Sequence, residues 1–242
     1  MTKSILNNIA VIGAKGFVGS EICEVLNFNK NYNTIPITRG DDICSLLKNS
    51  DFIIHSANPA GRFKAELKPE NDFLETVEKT SNILKIAKNK SIILISSLSC
   101  RTQIDTNYGR NRRSCELMTL LKGGKVIRLG PMFGGNRKKD ILHDILNHKN
   151  IYVSAKTKYA YVSVGWAASK IVELIPCPPG LYEIGARNSV SLAQLADHFG
   201  SRSIFSGKND TQILEQYEEG PDARLVFNYA ENELINMNTQ FE

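Results

Sequence analysis

The sequence lacks the features that define several large classes of protein. Its five cysteines, in 242 residues, are scattered and form no C-x-x-C pair, which argues against a disulfide framework or a zinc ribbon and favours reduced thiols. No apolar run approaches the roughly 20 residues that span a bilayer. Residues 1–8 contain no apolar core of a secretion signal. We therefore expect a cytoplasmic protein that is not inserted in a membrane.

The basic residues are dispersed, although the formal net charge is +5. The tightest groups are two short stretches, Arg110, Arg112 and Arg113, and Arg137, Lys138 and Lys139. A solvated face and a site for small anions such as phosphates are both open interpretations, whereas nucleic acid is disfavoured as a partner. His143 and His148 are too widely spaced for one helical face, so we expect them on the surface and predict no metal site.

Short apolar runs alternate with segments of helical periodicity along the first 130 residues. Strands are predicted at 9–12, 33–38, 51–55, 91–95 and 125–129, and helices at 17–28, 45–48, from Pro69 onwards, and at 108–121. This alternation predicts an α/β fold with a parallel sheet covered on both faces. Ser191 and Gln194 form a capping box for a later helix that runs to His198.

A glycine-rich loop follows the first predicted strand and opens the first predicted helix. Gly13, Gly16 and Gly19 are spaced G-x-x-G-x-x-G, with Lys15 between the first two. Such glycines permit a tight turn, a close approach of backbone to a pyrophosphate, and close packing of helix on sheet. An ordinary glycine turn is the alternative, but the strand-to-helix context favours a dinucleotide site.

The end of the second predicted strand bears on the choice of cofactor. NAD-binding proteins usually place a carboxylate there to bind the ribose 2′-hydroxyl. This chain has Thr38 and Arg39, and Lys15 lies in the glycine loop, so a 2′-phosphate would be attracted and NADP(H) is favoured over NAD(H). Asp41 and Asp42 follow closely and keep NAD as the alternative.

Taken in order, further segments resemble the short-chain dehydrogenase/reductase superfamily, in its extended branch of nucleotide-sugar epimerases, dehydratases and reductases. They are I-I-H-S-A at 53–57, Asp42 with Ile43, I-I-L-I-S-S at 92–97, Y-G-R-N-R at 108–112, I-R-L-G-P-M-F-G at 127–134 and G-L-Y-E-I at 180–184. The resemblance implies one domain over residues 1–242. Its fold would be a Rossmann-type doubly wound parallel sheet, with a dinucleotide-binding core at 1–130 and a small C-terminal α/β substrate lobe mainly at 131–242.

The resemblance also implies roles for individual residues. Tyr108 would be the proton donor and Ser97 would polarise the substrate carbonyl. Arg112 stands where the family has a lysine that lowers the tyrosine pKa and holds the nicotinamide ribose; it either keeps this role or marks a weakened activity. The residues expected to hold the cofactor are Gly13, Lys15, Gly16, Phe17, Val18, Gly19, Arg39, Asp42, Ile43, Ala57, Tyr108 and Arg112.

The predicted reaction is the NADP(H)-dependent reduction of a keto group on a nucleotide-linked sugar. Leu98 and Ser99 replace the Asp-Glu pair of the family's dehydratases, which disfavours dehydration. Tyr159 replaces an arginine that commonly meets a nucleotide phosphate, which weakens the nucleotide-sugar assignment. An NAD(P)-dependent nucleotide-sugar epimerase and a non-catalytic dinucleotide-binding sensor or scaffold are the alternatives. By resemblance we expect a homodimer, formed through the helix of Tyr108 and the helix from Pro69.

Overall fold

The computed structural model describes residues 7–137, 139–215 and 220–239, so Lys138 of the second basic stretch and residues 1–6 of the segment assessed for a secretion signal lie outside the described residues. The strands are β1 (Asn7–Ile12), β2 (Tyr32–Ile37), β3 (Phe52–His55), β4 (Ser91–Ser97), β5 (Lys125–Leu129), β6 (Met132–Phe133), β7 (Lys158–Tyr159), β8 (Val162–Ser163), β9 (Gly180–Ile184) and β10 (Val190–Ser191). The helices are α1 (Phe17–Phe28), α2 (Ile43–Lys48), α3 (Arg62–Leu67), α4 (Pro69–Phe73), α5 (Lys79–Ala87), α6 (Ser99–Thr102), α7 (Asn107–Leu121), α8 (Ile141–Leu146), α9 (Val164–Glu173), α10 (Leu192–His198) and α11 (Leu225–Thr239).

A six-stranded sheet has the order β2-β1-β3-β4-β5-β9, and its neighbours from β2 to β5 are parallel. The predicted Rossmann-type α/β fold is therefore confirmed. β1 lies between β2 and β3, so the chain leaves it in one direction along the sheet and returns on its other side. In open α/β sheets ligands bind at such a switch point, beyond the carboxyl ends of the strands. Here those ends are Ile12 and His55.

Apolar runs within the strands account for this sheet, because a strand covered on both faces needs apolar side chains on both. In β1, Ile9, Ala10 and Val11 have no exposed surface. Ala10 packs in one cluster with Ile83 of α5, while α1 packs against β1 and β2.

The helix predicted from Pro69 begins there but is not a uniform α-helix. Residues Leu74–Glu78 form a π-helical turn between α4 and α5, and the short helix α3 before Pro69 was not predicted. Interior π turns are rare and occur frequently at functional sites. This one places Thr76 inside the protein with no exposed surface.

The chain forms two compact units, residues 1–129 with 165–182, and residues 130–164 with 183–242. In the second unit β6 pairs with β8 and β7 pairs with β10. The capping box of Ser191 and Gln194 is confirmed at the start of α10. The division into a cofactor-binding core and a substrate lobe stays a prediction.

The surface position predicted for His143 is wrong. His143 is 4% exposed, and its Nδ1 atom lies 2.7 Å from the carboxylate of Asp140 at the start of α8. The spacing of His143 and His148 describes only how the two histidines lie relative to each other. It gives no sign that Asp140, three residues before His143, caps the helix beside it. His148 is exposed as predicted. Among the described residues no group of His, Cys, Asp or Glu side chains is arranged to hold a metal ion, and no described helix is both long and apolar enough to cross a membrane.

Candidate active site

The loop between β1 and α1 is a tight turn at the carboxyl edge of the sheet. Gly13 has φ +90°, and a side chain there would lie 2.9 Å from the Cα atom of Ala57. The amides of Gly13 and Ala14 donate to the Ile37 carbonyl at 2.9 and 3.1 Å. The loop is thus fixed between the ends of β2 and β3, and Gly13 is needed both for its backbone angle and for its close approach to Ala57.

Helix α1 starts directly after this loop. Gly16 precedes its first residue and provides no capping side chain. A methyl group at Gly19 would overlap the backbone of the loop. Lys15 is exposed, and the side chains of Phe17 and Val18 are half-buried. Backbone amides at a helix N-terminus, together with the helix dipole, are suited to bind a diphosphate.

Two cations and two carboxylates lie at the end of β2. Asp41 accepts hydrogen bonds from the amide and the hydroxyl of Thr38 at 2.6 and 2.9 Å. These bonds, and the nearby charge of Lys15, hold the pKa of the Asp41 carboxyl below its ordinary value. The Arg39 side chain is 92% exposed and its guanidinium lies 3.7 Å from Glu75 in the π-helical turn. Glu75 was not predicted at this corner, because it lies far from Arg39 along the chain.

Asp42 and Ile43 have structural partners of their own. The Asp42 carboxylate accepts from the Ser45 amide at 3.2 Å and caps α2. Ile43 packs against the apolar cluster under β1. Their expected role in holding the cofactor stays a prediction.

His55 at the end of β3 is fully buried and neutral. Its Nδ1 atom accepts from the Ala57 amide at 3.4 Å, so its Nε2–H donates to the Thr80 hydroxyl at 3.1 Å. Burial, with the positive charges of Lys79 and Arg112, lowers the pKa of His55 to about 3. The imidazole is thus part of the packing at the end of β3, and it also holds the loop that follows β3 through the Ala57 amide.

Asn58, next to Ala57 in that loop, has an unusual environment. Its side-chain oxygen and nitrogen are both buried and have no hydrogen-bond partner among the residues that the structure describes. A buried amide without partners is costly, by about 1–3 kcal/mol, and is explained when a ligand supplies the missing bonds. This orphaned amide and the backbone-lined glycine loop fit a polar dinucleotide seated at the switch point.

The predicted catalytic serine ends β4. The Ser97 hydroxyl donates to Ser99 Oγ at 3.2 Å and accepts from the Ser99 amide at 3.3 Å. Ser99 has no exposed surface, whereas Ser97 is half-buried. Ser97 therefore presents the more accessible hydroxyl of the two.

Tyr108 lies in the first turn of α7, which packs on β4, and it is 7% exposed. The guanidinium carbon of Arg112 stands 4.5 Å from the centre of the tyrosine ring, in cation–π geometry. Arg112 is itself buried, donates to the Thr76 hydroxyl at 2.6 Å and bonds the Pro59 carbonyl. The guanidinium thus joins α7, the π-helical turn and the loop after β3.

A buried ionic network beneath these residues was not predicted from the sequence. Glu116 of α7 accepts two bonds from Arg128 of β5, at 2.9 and 2.7 Å, and one from Ser96 at 2.7 Å. Arg113 adds a fourth, at 2.9 Å. Burial raises the pKa of Glu116, but these donors outweigh it and hold the pKa below its ordinary value. Arg128, which stands between Ile127 and Leu129 in the predicted strand, was the available signal, since a charged residue among buried apolar neighbours needs a buried partner.

The structure brings four of the predicted site residues, Gly13, Ala57, Arg112 and Tyr108, into one line of contacts. Gly13 meets Ala57, the loop continues to Pro59, Pro59 bonds Arg112, and Arg112 covers Tyr108. A glycine cradle at the switch point of a parallel sheet is characteristic of the Rossmann class of dinucleotide-binding folds. In this chain the line of contacts continues from the cradle to the buried Tyr108.

Residues 9–116 match the model of the NAD dependent epimerase/dehydratase family. The match covers less than half of the 242 residues, and it confirms the resemblance of this segment to the extended short-chain dehydrogenases/reductases. A curated relative from Pseudomonas aeruginosa strain PA103, UDP-2-acetamido-2,6-beta-L-arabino-hexul-4-ose reductase, is 29% identical over 113 residues. The match spans 45% of this chain and 29% of the relative's length.

Solved structures are similar over most of their length. MoeE5 in complex with UDP-glucuronic acid and NAD has a TM-score of 0.73 at 16% identity, covering 85% of this chain and 88% of that one. UDP-glucuronic acid 4-epimerase from Bacillus cereus, in complex with UDP-glucuronic acid and NAD, has a TM-score of 0.70 at 17% identity, covering 92% and 93%. At these identities the likeness supports the fold alone.

Proposed function

We propose that this protein is an NADP(H)-dependent oxidoreductase that reduces a keto group on a nucleotide-linked sugar. The observation that carries the proposal is the line of contacts from the glycine loop to Tyr108, with the orphaned amide of Asn58 beside it. The relative from Pseudomonas aeruginosa, which is named as a reductase of a UDP-linked keto sugar, supports the choice of reaction.

In this proposal the glycine loop of Gly13, Gly16 and Gly19 would hold the cofactor, whose chemistry would be the transfer of a hydride to the carbonyl carbon. Tyr108 gives its phenolic proton to the carbonyl oxygen, so that a C=O bond becomes CH–OH. Ser97 donates a hydrogen bond to the same oxygen and stabilises its developing negative charge. Arg112 holds the tyrosine ring through its cation–π contact and provides a positive field.

The preference for NADP(H) is supported by Lys15 and Arg39, two cations at the end of β2. Asp41 and Glu75 lie at the same corner and favour NAD(H) as the alternative. Thermal-shift titration with both reduced cofactors tests the choice, because a ligand that binds only the folded state raises its melting temperature. A larger rise with NADPH, lost in Arg39→Ala, is expected. A larger rise with NADH would overturn this preference.

The nucleotide-sugar epimerase remains the alternative reaction, because the two structural neighbours named above bind NAD with UDP-linked ligands. Cofactor stoichiometry separates the two: a reductase consumes one reduced cofactor for each product, whereas an epimerase turns over without net oxidation. Loss of NADPH absorbance with a UDP-4-keto sugar tests the reductase, and a change in the configuration of a UDP-hexose incubated with NAD+ tests the epimerase.

Tyr108→Phe tests whether the site is catalytic. The variant removes only the hydroxyl, and we expect turnover to fall by about 10²–10⁴-fold while cofactor binding is kept. Tyr152→Phe, at a side chain 81% exposed in the second unit, is the matched control and should keep full turnover. Full turnover in Tyr108→Phe would support the remaining alternative, a sensor or scaffold that binds dinucleotide without catalysis.

The proposal includes a cytoplasmic homodimer. Apolar side chains remain exposed on the two helical segments expected to pair, Phe73 and Leu74 near the π-helical turn, and Leu117 and Leu121 of α7. Burying such surface favours association. Light scattering should give twice the monomer mass and a monomer for Leu121→Lys; a monomeric wild type would refute the dimer.

A further inference from the structure

The first turn of α7 is held by a carboxylate from α3. Glu66 Oε1 accepts from the backbone amide of Asn107 at 2.8 Å and from that of Tyr108 at 3.4 Å. Its second oxygen accepts from the Asn107 side-chain amide at 3.0 Å. The next amide, of Gly109, donates to the Thr106 hydroxyl at 3.0 Å. The first three amides of α7 therefore all have side-chain acceptors.

This arrangement is more than an ordinary helix cap. The opening amides of a helix have no partner within it, and one capping side chain satisfies one or two of them. Thr106 already serves as the local cap, and Glu66 lies 41 residues before Asn107. Glu66 also places a negative charge at the positive end of the α7 dipole. A contact between residues far apart in the chain therefore holds Asn107 and Tyr108 at the start of α7.

We propose, on the basis of the proposed function, that Glu66 is a positioning residue for Tyr108. Glu66 holds Tyr108 by accepting a hydrogen bond from the backbone amide of the tyrosine, while Arg112 holds the tyrosine ring through its cation–π contact. Two independent attachments, one from α3 and one from α7 itself, set the direction of the phenol. Without Glu66 the first turn of α7 frays, the ring leaves its reactive position part of the time, and the chemical step slows.

The test uses the variants Glu66→Ala and Glu66→Gln, with Glu70→Gln as the matched control. Glu70 is an exposed glutamate in α4 whose side chain has no partner in the described part of the chain. Glu66→Gln keeps an acceptor oxygen but loses the charge. Its amide exchange rates and its kcat should therefore lie between those of the wild type and those of Glu66→Ala. It also provides a folded variant if the alanine variant fails to fold.

Hydrogen–deuterium exchange in the ligand-free protein gives the first measurement. We expect the amides of Asn107 and Tyr108 to exchange about 5- to 30-fold faster in Glu66→Ala, with amides in the second half of α7 unchanged. Unchanged exchange at these two amides would show that Glu66 does not hold the start of α7. This measurement needs no substrate, so it tests the contact of Glu66 with α7 independently of the proposed reaction.

Steady-state kinetics give the second measurement. Because Glu66 acts on Tyr108 and not on the cofactor, kcat should fall about 10-fold in Glu66→Ala, with partial rescue in Glu66→Gln, while KM for the cofactor stays within about 2-fold. A loss confined to KM, or equal kcat in all variants despite faster exchange, would refute the positioning role. If the wild type reduces no keto sugar, the proposed function fails, and the exchange measurement alone decides whether Glu66 holds the start of α7.

Discussion

Replacing Arg112 by lysine tests whether the guanidinium is a clamp or only a substitute for the family's lysine. The two side chains carry the same charge, so a role that needs only charge would survive the change. In the structure the guanidinium bonds the Thr76 hydroxyl and the Pro59 carbonyl and covers the Tyr108 ring. An ammonium group is a single donor atom and lacks the planar fork that reaches both partners.

The expected magnitude follows from what is left without a partner. One buried hydrogen bond to a charged group contributes about 1.5–3 kcal/mol, and the cation–π contact about 0.5–2 kcal/mol. Arg112→Lys loses one such bond and weakens the ring contact. We therefore expect the free energy of unfolding to fall by about 2–4 kcal/mol.

Urea unfolding, followed by the fluorescence of the single tryptophan, Trp166, measures this change. Arg110→Lys on the same helix is the control: its side chain is exposed, and its change should stay within about 0.5 kcal/mol. A double-mutant cycle with Thr76→Val should show a coupling of about 1–2 kcal/mol. If Arg112→Lys is as stable as the wild type and turns over faster, the clamp is refuted and the arginine is a poor replacement for lysine.

Three further changes probe the scaffold of the site. Glu116→Gln should lower the free energy of unfolding by about 3–5 kcal/mol, because Arg128 is left buried without its counter-charge; adding Arg128→Met should recover part of that loss, and a simple sum of the two losses would contradict this account. Gly109→Ala should destabilise by about 1–3 kcal/mol, since its methyl group would overlap the Gln103 carbonyl; a gain of about 1 kcal/mol, as helix propensity alone predicts, would show that the close approach is absent. The pKa of His55 is about 3 in the fold and 6.5 ordinarily, so only the unfolded chain takes up a proton between these values, and stability should fall by about 1.4 kcal/mol per unit as pH drops from 6.5 towards 3; this slope should flatten in His55→Gln, and an unchanged slope would assign it to other groups.

Local features of the fold could be predicted from the sequence because their causes lie within a few residues. The spacing of Gly13, Gly16 and Gly19 after an apolar strand predicted the turn between β1 and α1. The capping box of Ser191 and Gln194 predicted the start of α10. The limits of β5, predicted at 125–129, are those observed, because its apolar residues are bounded by glycines before and after.

Predictions about partners were less successful, because a partner can come from anywhere in the chain. His143 was expected at the surface, but the fold buries it beside Asp140. Arg112 could be recognised as a departure from the family pattern, yet nothing in the sequence indicated that its donors would reach Thr76, 36 residues away. The π-helical turn that presents Thr76 has no local signal either.

The amino-acid sequence by itself determined the alternation of strands and helices, the glycine loop, and which residue types stand at the carboxyl edge of the sheet. Periodicity, capping and turn chemistry act over at most about one helical turn, and the sequence displays them directly. Only the tertiary structure decided that Glu66 holds the start of α7, that Glu116 neutralises Arg128, and that the side chain of Asn58 is buried with no partner in the described part of the chain. Those outcomes depend on distances between residues far apart in the chain, which exist only after the sheet has brought its helices together.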